Sequence, residues 1–160
     1  MNFAYNRPMT RTYVVTGAGS GIGAAAAELL KGRGYRVIGV DLKNADIEAD
    51  LSTADGRARG AADAASAADG RVDAVIAAAG IAAPRSLTVA VNFFGVTEFL
   101  TAIQPALAKS ASPRAVVVSS MASLQPVSDD LVDAMLAGNE AKALEIGDAL
   151  AERGQEVGYL

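Results

Sequence analysis

Four glycines at alternate positions, Gly17, Gly19, Gly21 and Gly23, follow the β-branched run at 14–16 and precede an alanine-rich apolar stretch. Gly19, Gly21 and Ala24 fit G-x-G-x-x-A, while Gly17, Gly21 and Gly23 fit T-G-x-x-x-G-x-G from Thr16. In either register a bare backbone permits a tight turn and lets a phosphate approach the main chain. A helix starting near Gly21 aims the free N–H groups of Gly21, Ile22 and Gly23, and the positive end of its dipole, at that phosphate. Ser20 adds a hydroxyl donor. Asp41 lies 20 residues beyond Gly21, at the end of a second apolar run. A carboxylate there accepts from the hydroxyls of an adenine-side ribose and repels a 2′-phosphate, which favours NAD over NADP. Lys43 is the nearest cation and blunts that preference. The competing readings are a plain tight turn and a solvated strand-end carboxylate.

Two more positions carry polar groups where local structure does not ask for them. Asn92 falls inside a run that otherwise reads as helix, a poor place for asparagine, and Gly95 follows in the same turn. Ser119 and Ser120 end the apolar run "VVVSS", and the C-terminal ends of parallel strands are where open α/β sheets place ligands. The chain has no cysteine and no histidine. That excludes disulfides, thiolate nucleophiles, Ser-His hydrolysis and imidazole acid–base work, and it leaves no expected metal site. Any chemistry falls to hydroxyls, carboxylates, amides, lysines or a bound cofactor.

The elements that position these groups alternate. Strands are expected over Thr12–Thr16, 35–41, a short stretch around Ile47, 72–80 and 114–120, the last a buried strand of three valines. Helices are expected over Gly21–Lys31, from a Ser52 or Thr53 cap to Asp69, and over Leu87–Lys109, with Val91, Gly95, Phe99, Ala102 and Ala106 on one face. Such alternation implies βαβ units, hence an α/β fold with a doubly wound parallel sheet of Rossmann type. Over 128–154 the pattern becomes a helical excursion. Ser128 caps a helix with Leu131, Val132, Met135 and Leu136 on its apolar face. Gly138 ends that helix, and Asn139 caps a second that runs to Gly154.

The 160 residues suit one domain over 1–160, with 1–10 a loose leader. A net charge of −4 without a basic cluster gives nucleic acid or an anionic membrane little to hold. No apolar run approaches the roughly 20 residues of a bilayer span, and the first ten residues lack an export signal's apolar segment. The expectation is a cytoplasmic protein with no nucleic-acid or membrane partner.

The stretches "TGAGSGIG" (16–23), "VD" (40–41), "ADL" (49–51), "AAAG" (77–80), "VNFFG" (91–95) and "VVVSS" (116–120) resemble, in order and spacing, the motifs of the short-chain dehydrogenase/reductase family. "DLSTADGR" (50–57), "VNFFGVTEFL" (91–100) and "AGNEAKA" (137–143), with the helical excursion, are most similar to its bacterial 3α-hydroxysteroid dehydrogenase/carbonyl reductase-type members. The resemblance implies that Asp50 faces the adenine with Leu51 beside it. It implies that main chain at Ala78, Ala79 and Gly80 lines the cofactor, although Ala77 stands where the family has asparagine. It gives Asn92 a role in a bent helix and a proton relay, and makes Ser120 the catalytic serine. It implies an alcohol or ketone substrate, with a hydroxysteroid among the possibilities, and a homodimer or homotetramer.

The family also uses Y-x-x-x-K. Tyr159 falls near the expected tyrosine, and a tyrosine just past Leu160 fits equally well. No lysine follows four positions after any tyrosine in these 160 residues. The expectation is therefore the front part of a longer NAD-dependent oxidoreductase, inactive as given. Two alternatives stay open. One is a non-catalytic nucleotide-binding or oligomerisation module, and the other is a methyltransferase, which "VNFFG" and "VVVSS" disfavour. The excursion would serve either subunit contact or the wall of a substrate cleft.

Overall fold

The computed structural model describes residues 10–83, 86–124, 126 and 128–153. Residues 1–9 of the expected leader, Tyr159 and the glycine stop at 154 lie outside the described residues. Five parallel strands form one sheet: β1 (Thr12–Thr16), β2 (Arg36–Asp41), β3 (Ile47–Glu48), β4 (Ala74–Ala77) and β5 (Arg114–Val117). Their order is β3-β2-β1-β4-β5. Val15 lies opposite Gly39 on one side and Ile76 on the other. This is the expected doubly wound α/β arrangement.

Chain direction explains the two layers. Helix α1 (Gly21–Gly32) joins β1 to β2 and runs outward one way. Helix α2 (Ala54–Ala67) carries the chain back across to β4, and the next crossover continues to β5. Right-handed crossovers running in opposite directions put their helices on opposite faces. On the α2 face the core joins Val14, Ile38, Val40 and Val75 to Ala61, Ala64, Phe99 and Ile103. Thr53 caps α2, its hydroxyl accepting from Gly56 N–H at 3.0 Å.

The β4–β5 crossover is a single apolar helix with a change of winding. It consists of α3 (Leu87–Val89), a π-helical turn (Ala90–Phe94) and α4 (Gly95–Leu107). Gly95, Phe99, Ile103, Ala106 and Leu107 are its buried face in α4. Ala102, expected there, is exposed and Ile103 takes its place; both positions are apolar, so the pattern within the helix does not choose between them. By length and composition Leu87–Leu107 also suffices to cross a bilayer, which corrects the expectation that nothing in the chain does. Thr97, Glu98, Thr101 and Gln104 interrupt the apolar run but leave its mean hydropathy at 1.3. The buried face of this helix packs in the core.

The run 114–120 reads as a buried strand, yet all four residues of β5 are exposed, with Val116 at 55% and Val117 at 48%. It is the outermost strand, paired only with β4 among the described residues. Apolar composition alone does not distinguish an edge strand from a central one.

The excursion folds as two helices, α5 (Asp129–Leu136) and α6 (Glu140–Glu152), around a second cluster. That cluster joins Leu131, Met135 and Ala143 to Val89 and Phe94. Leu136, expected on the apolar face, is 75% exposed, and Ala134 takes that place. Ser128 occupies the cap position of α5 through its carbonyl, which accepts from Leu131 and Val132, and its side chain does not cap. Asn139 does cap α6, accepting from Lys142 N–H at 3.1 Å.

Candidate functional site

A cleft of about 520 Å³ opens at the C-terminal ends of β1, β2 and β4. The chain turns one way from β1 to β2 and the other way to β4, so the cleft sits where the strand order reverses. Open α/β sheets hold ligands at that place. Gly17, Ser20, Gly21, Ile22, Asp41, Asp50, Leu51, Ala78, Ala79 and Gly80 all line it, joined by Lys43, Ile81 and Val91.

The glycine turn is held open from behind. Gly17 has φ +70°, and a Cβ there would lie 2.7 Å from Ala79 N, so this glycine lets β4 approach β1. The hydroxyl of buried Thr16 ties the same contact, accepting from Ala78 N–H and Ala79 N–H, each at 3.2 Å. Gly23 does not line the cleft. A Cβ there would sit 2.2 Å from Gly17 O, so its part is to let α1 fold back against the turn. At Gly21 (φ +55°) an added Cβ would meet nothing.

Helix α1 starts without a side-chain cap. Its first turn takes no bond from Ser20 Oγ, and the first return bond is Ala24 N–H to Ser20 O at 3.1 Å. The N–H groups of Gly21, Ile22 and Gly23 therefore have no protein acceptor among the described residues. Such groups need an outside partner, and an anion answers both the orphan donors and the helix dipole. A pyrophosphate fits this cradle.

Asp41 faces the cleft from the end of β2. Its Oδ2 accepts from Gly19 N–H at 2.9 Å and its Oδ1 from Leu42 N–H at 2.6 Å. Each carboxylate oxygen keeps a second lone pair, which suits a ribose diol. Asp50 spends Oδ1 on Ser52, accepting from N–H at 2.9 Å and from the hydroxyl at 2.6 Å. It thus shapes the entry to α2 while lining the cleft.

Asn92 closes the opposite side. In the π-helical turn its Oδ1 accepts from Ile81 N–H at 2.9 Å and its Nδ2 donates to Ile81 O at 3.0 Å. The amide reproduces a strand partner for the residue just past Gly80. Thr88 holds Ala83 in the same way, accepting from its N–H and donating to its carbonyl. Ser120 lies beyond β5, outside the cleft lining; its carbonyl accepts from Ser123 N–H and Ser123 Oγ. No cluster of carboxylates fit for a metal occurs among the described residues.

Sequence reasoning passed over Arg57. It is fully buried inside the alanine-rich α2. Its Nε donates to Glu98 Oε2 at 2.7 Å, its Nη2 to Glu140 Oε2 at 2.6 Å and its Nη1 to Leu51 O at 3.3 Å. "DLSTADGR", "VNFFGVTEFL" and "AGNEAKA" each contribute one of these charged residues. Asp73 was also missed. It lies at the far end of the sheet and accepts from Thr12 N–H at 2.9 Å and Ser110 Oγ at 2.6 Å. Burial raises its pKa, but the Ser110 and Thr12 hydrogen bonds with Arg71 and Arg11 outweigh that and hold it below the usual 3.8.

Residues 11–131 match the short chain dehydrogenase family. The chain is 38% identical over 151 residues to a 3-alpha-hydroxysteroid dehydrogenase/carbonyl reductase of Comamonas testosteroni, covering 91% of this chain and 59% of that protein. It superposes with TM-score 0.83 and 43% identity on the 3-alpha-hydroxysteroid dehydrogenase from Pseudomonas sp. B-0831 complexed with NADH, covering 88% of this chain and 62% of that one. A Pseudomonas aeruginosa RhlG/NADP active-site complex shares the fold at TM-score 0.63 and 23% identity, over 89% of this chain and 65% of that one. The chain spans about 60% of the length of the first two.

Proposed function

Because the chain belongs to the short-chain dehydrogenase family, we propose that the protein is an NAD(H)-dependent oxidoreductase that interconverts a secondary alcohol and its ketone, with these 160 residues supplying the cofactor seat. The observation that carries this is the open first turn of α1 beside Asp41. Orphan amides there suit a pyrophosphate, and a carboxylate there suits an unphosphorylated ribose. The NADH bound by the Pseudomonas relative supports the same cofactor.

The nicotinamide, when bound, gives or takes the hydride. Gly21 and Ile22 would hold the pyrophosphate by their N–H groups, with Ser20 adding its hydroxyl, while Gly23 lets α1 close against the turn. Asp41 takes the ribose, and Asp50 and Leu51 flank the adenine. Ala78, Ala79 and Gly80 present main chain to the rest of the dinucleotide. Ser120 donates to the substrate oxygen, and Tyr159, or a tyrosine just beyond it, moves the proton. Asn92 supports the relay by fixing Ile81 and the bent helix. A hydroxysteroid is a substrate consistent with the two relatives. The enzyme so read is a cytoplasmic homodimer or homotetramer.

A second reading is a binding module of the same fold without catalysis. The two readings share the cofactor seat and differ in turnover. Titrating the chain with NADH and NADPH, followed by reduced-nicotinamide fluorescence, tests the seat. NADH should bind about tenfold more tightly or better. Equal affinities would defeat the assignment. Mixed with NAD and a secondary alcohol, the 160-residue chain should form no NADH, whereas a protein continuing through a Y-x-x-x-K pair should form it.

A further inference from the structure

The α5–α6 excursion stands away from the sheet, yet it touches the backs of both cleft walls. Gly147 packs against Ser86, where a Cβ would lie 3.1 Å from Cα, and Asp148 Oδ1 accepts from Ser86 N–H at 3.2 Å. That contact braces the helix carrying Asn92. On the other side Glu140 reaches Arg57, whose third arm grips Leu51 O.

We propose that Arg57 is a positioning residue for nucleotide binding: with Glu140 it clamps the helical excursion to the Asp50–Leu51 rim of the cleft. This rests on reading the cleft as a dinucleotide seat. Each guanidinium nitrogen serves a different element: the rim, α4 and α6. A buried cation is costly unless paired, and a methionine would fill the same space at lower cost. The arrangement is better explained by its geometry, since a planar fork fixes three partners in one plane. Leu51 O is tightly seated, because a Cβ on Gly95 would come within 3.3 Å of it. Beside it, a Cβ on Gly56 would fall 1.9 Å from Asp50 O. The rim therefore has little room to move unless the clamp releases.

Glu140→Ala tests this, since it removes the excursion's arm and leaves the Arg57–Glu98 pair to support the fold. Amide exchange reads the rim directly: Ser52, Thr53, Gly56 and Arg57 N–H groups are all hydrogen-bonded there. In Glu140→Ala their exchange should quicken about tenfold, and ADP-ribose affinity should fall by a similar factor. Affinity for nicotinamide mononucleotide, which does not reach this rim, should hold. Glu140→Gln, which keeps an acceptor, should restore most of both. Unchanged exchange at 52–57 in Glu140→Ala would overturn the clamp, as would equal losses for both ligands. Failure of the parent chain to bind ADP-ribose would strike the cleft assignment, and exchange would still decide the clamp.

Discussion

Asp41 and Gly19 are joined across the mouth of the cleft: the carboxylate at the end of β2 accepts from the glycine N–H at 2.9 Å. One side chain thus shapes the phosphate turn and presents charge to the ligand. A Cβ on Gly19 would sit 3.1 Å from Asp41 Cγ and 2.5 Å from Lys43 O, so this contact requires glycine.

Two substitutions separate the two roles of Asp41. Asp41→Asn keeps an acceptor for Gly19 and removes the charge, so NADPH should bind about tenfold more tightly while NADH changes little. Asp41→Ala also frees the turn and should weaken NADH. Fluorescence titration measures all four affinities. NADPH binding unaltered in Asp41→Asn would show that the carboxylate does not select the cofactor.

Asn92→Leu should cost stability through Ile81. The change strips partners from one N–H and one carbonyl, about 2 kcal/mol for partly buried groups. At this chain length that lowers Tm by roughly 4–8 °C. Asn92→Asp should fall between, accepting from Ile81 N–H but facing its carbonyl oxygen. Thermal melts followed by circular dichroism decide the point; a Tm shift within about 1 °C for the leucine variant would mean the clamp contributes nothing.

The Asp73 carboxylate gives a pH signature. Its folded-state pKa lies below the unfolded value, so its contribution is complete above about pH 3.8 and disappears as pH falls through the folded value. Asp73→Ala, which orphans Thr12 N–H, should lose about 3 kcal/mol at pH 7. Urea unfolding at pH 7 and pH 3 should show the gap to the parent narrowing in acid. An equal gap at both values would place the stabilisation in shape rather than charge.

Much of the cleft could be read from the sequence because its parts are local. Thr12–Thr16 emerged as a strand from β-branched run and glycine turn alone, and Asp41 from its distance to that turn. Arg57 could not be found this way. Its partners lie 41 and 83 residues away, and within α2 it looks like one more solvated charge. The exposure of β5 depends on having a neighbour, which three valines do not encode. Leu136 and Ala102 were misplaced because a pattern within one helix does not tell which side meets the next layer.

The five π-helical residues at 90–94 divide one rod between two masters. Each α-helical residue advances the side chains by about 100°, and a wide turn inserts a phase slip at its own position. Within the slip Asn92 indexes the rod to Ile81; behind it, Phe99 is indexed to the core beneath the sheet. Shortening the segment by one residue would force a choice, either losing hold of the loop or rotating the phenylalanine out of the core.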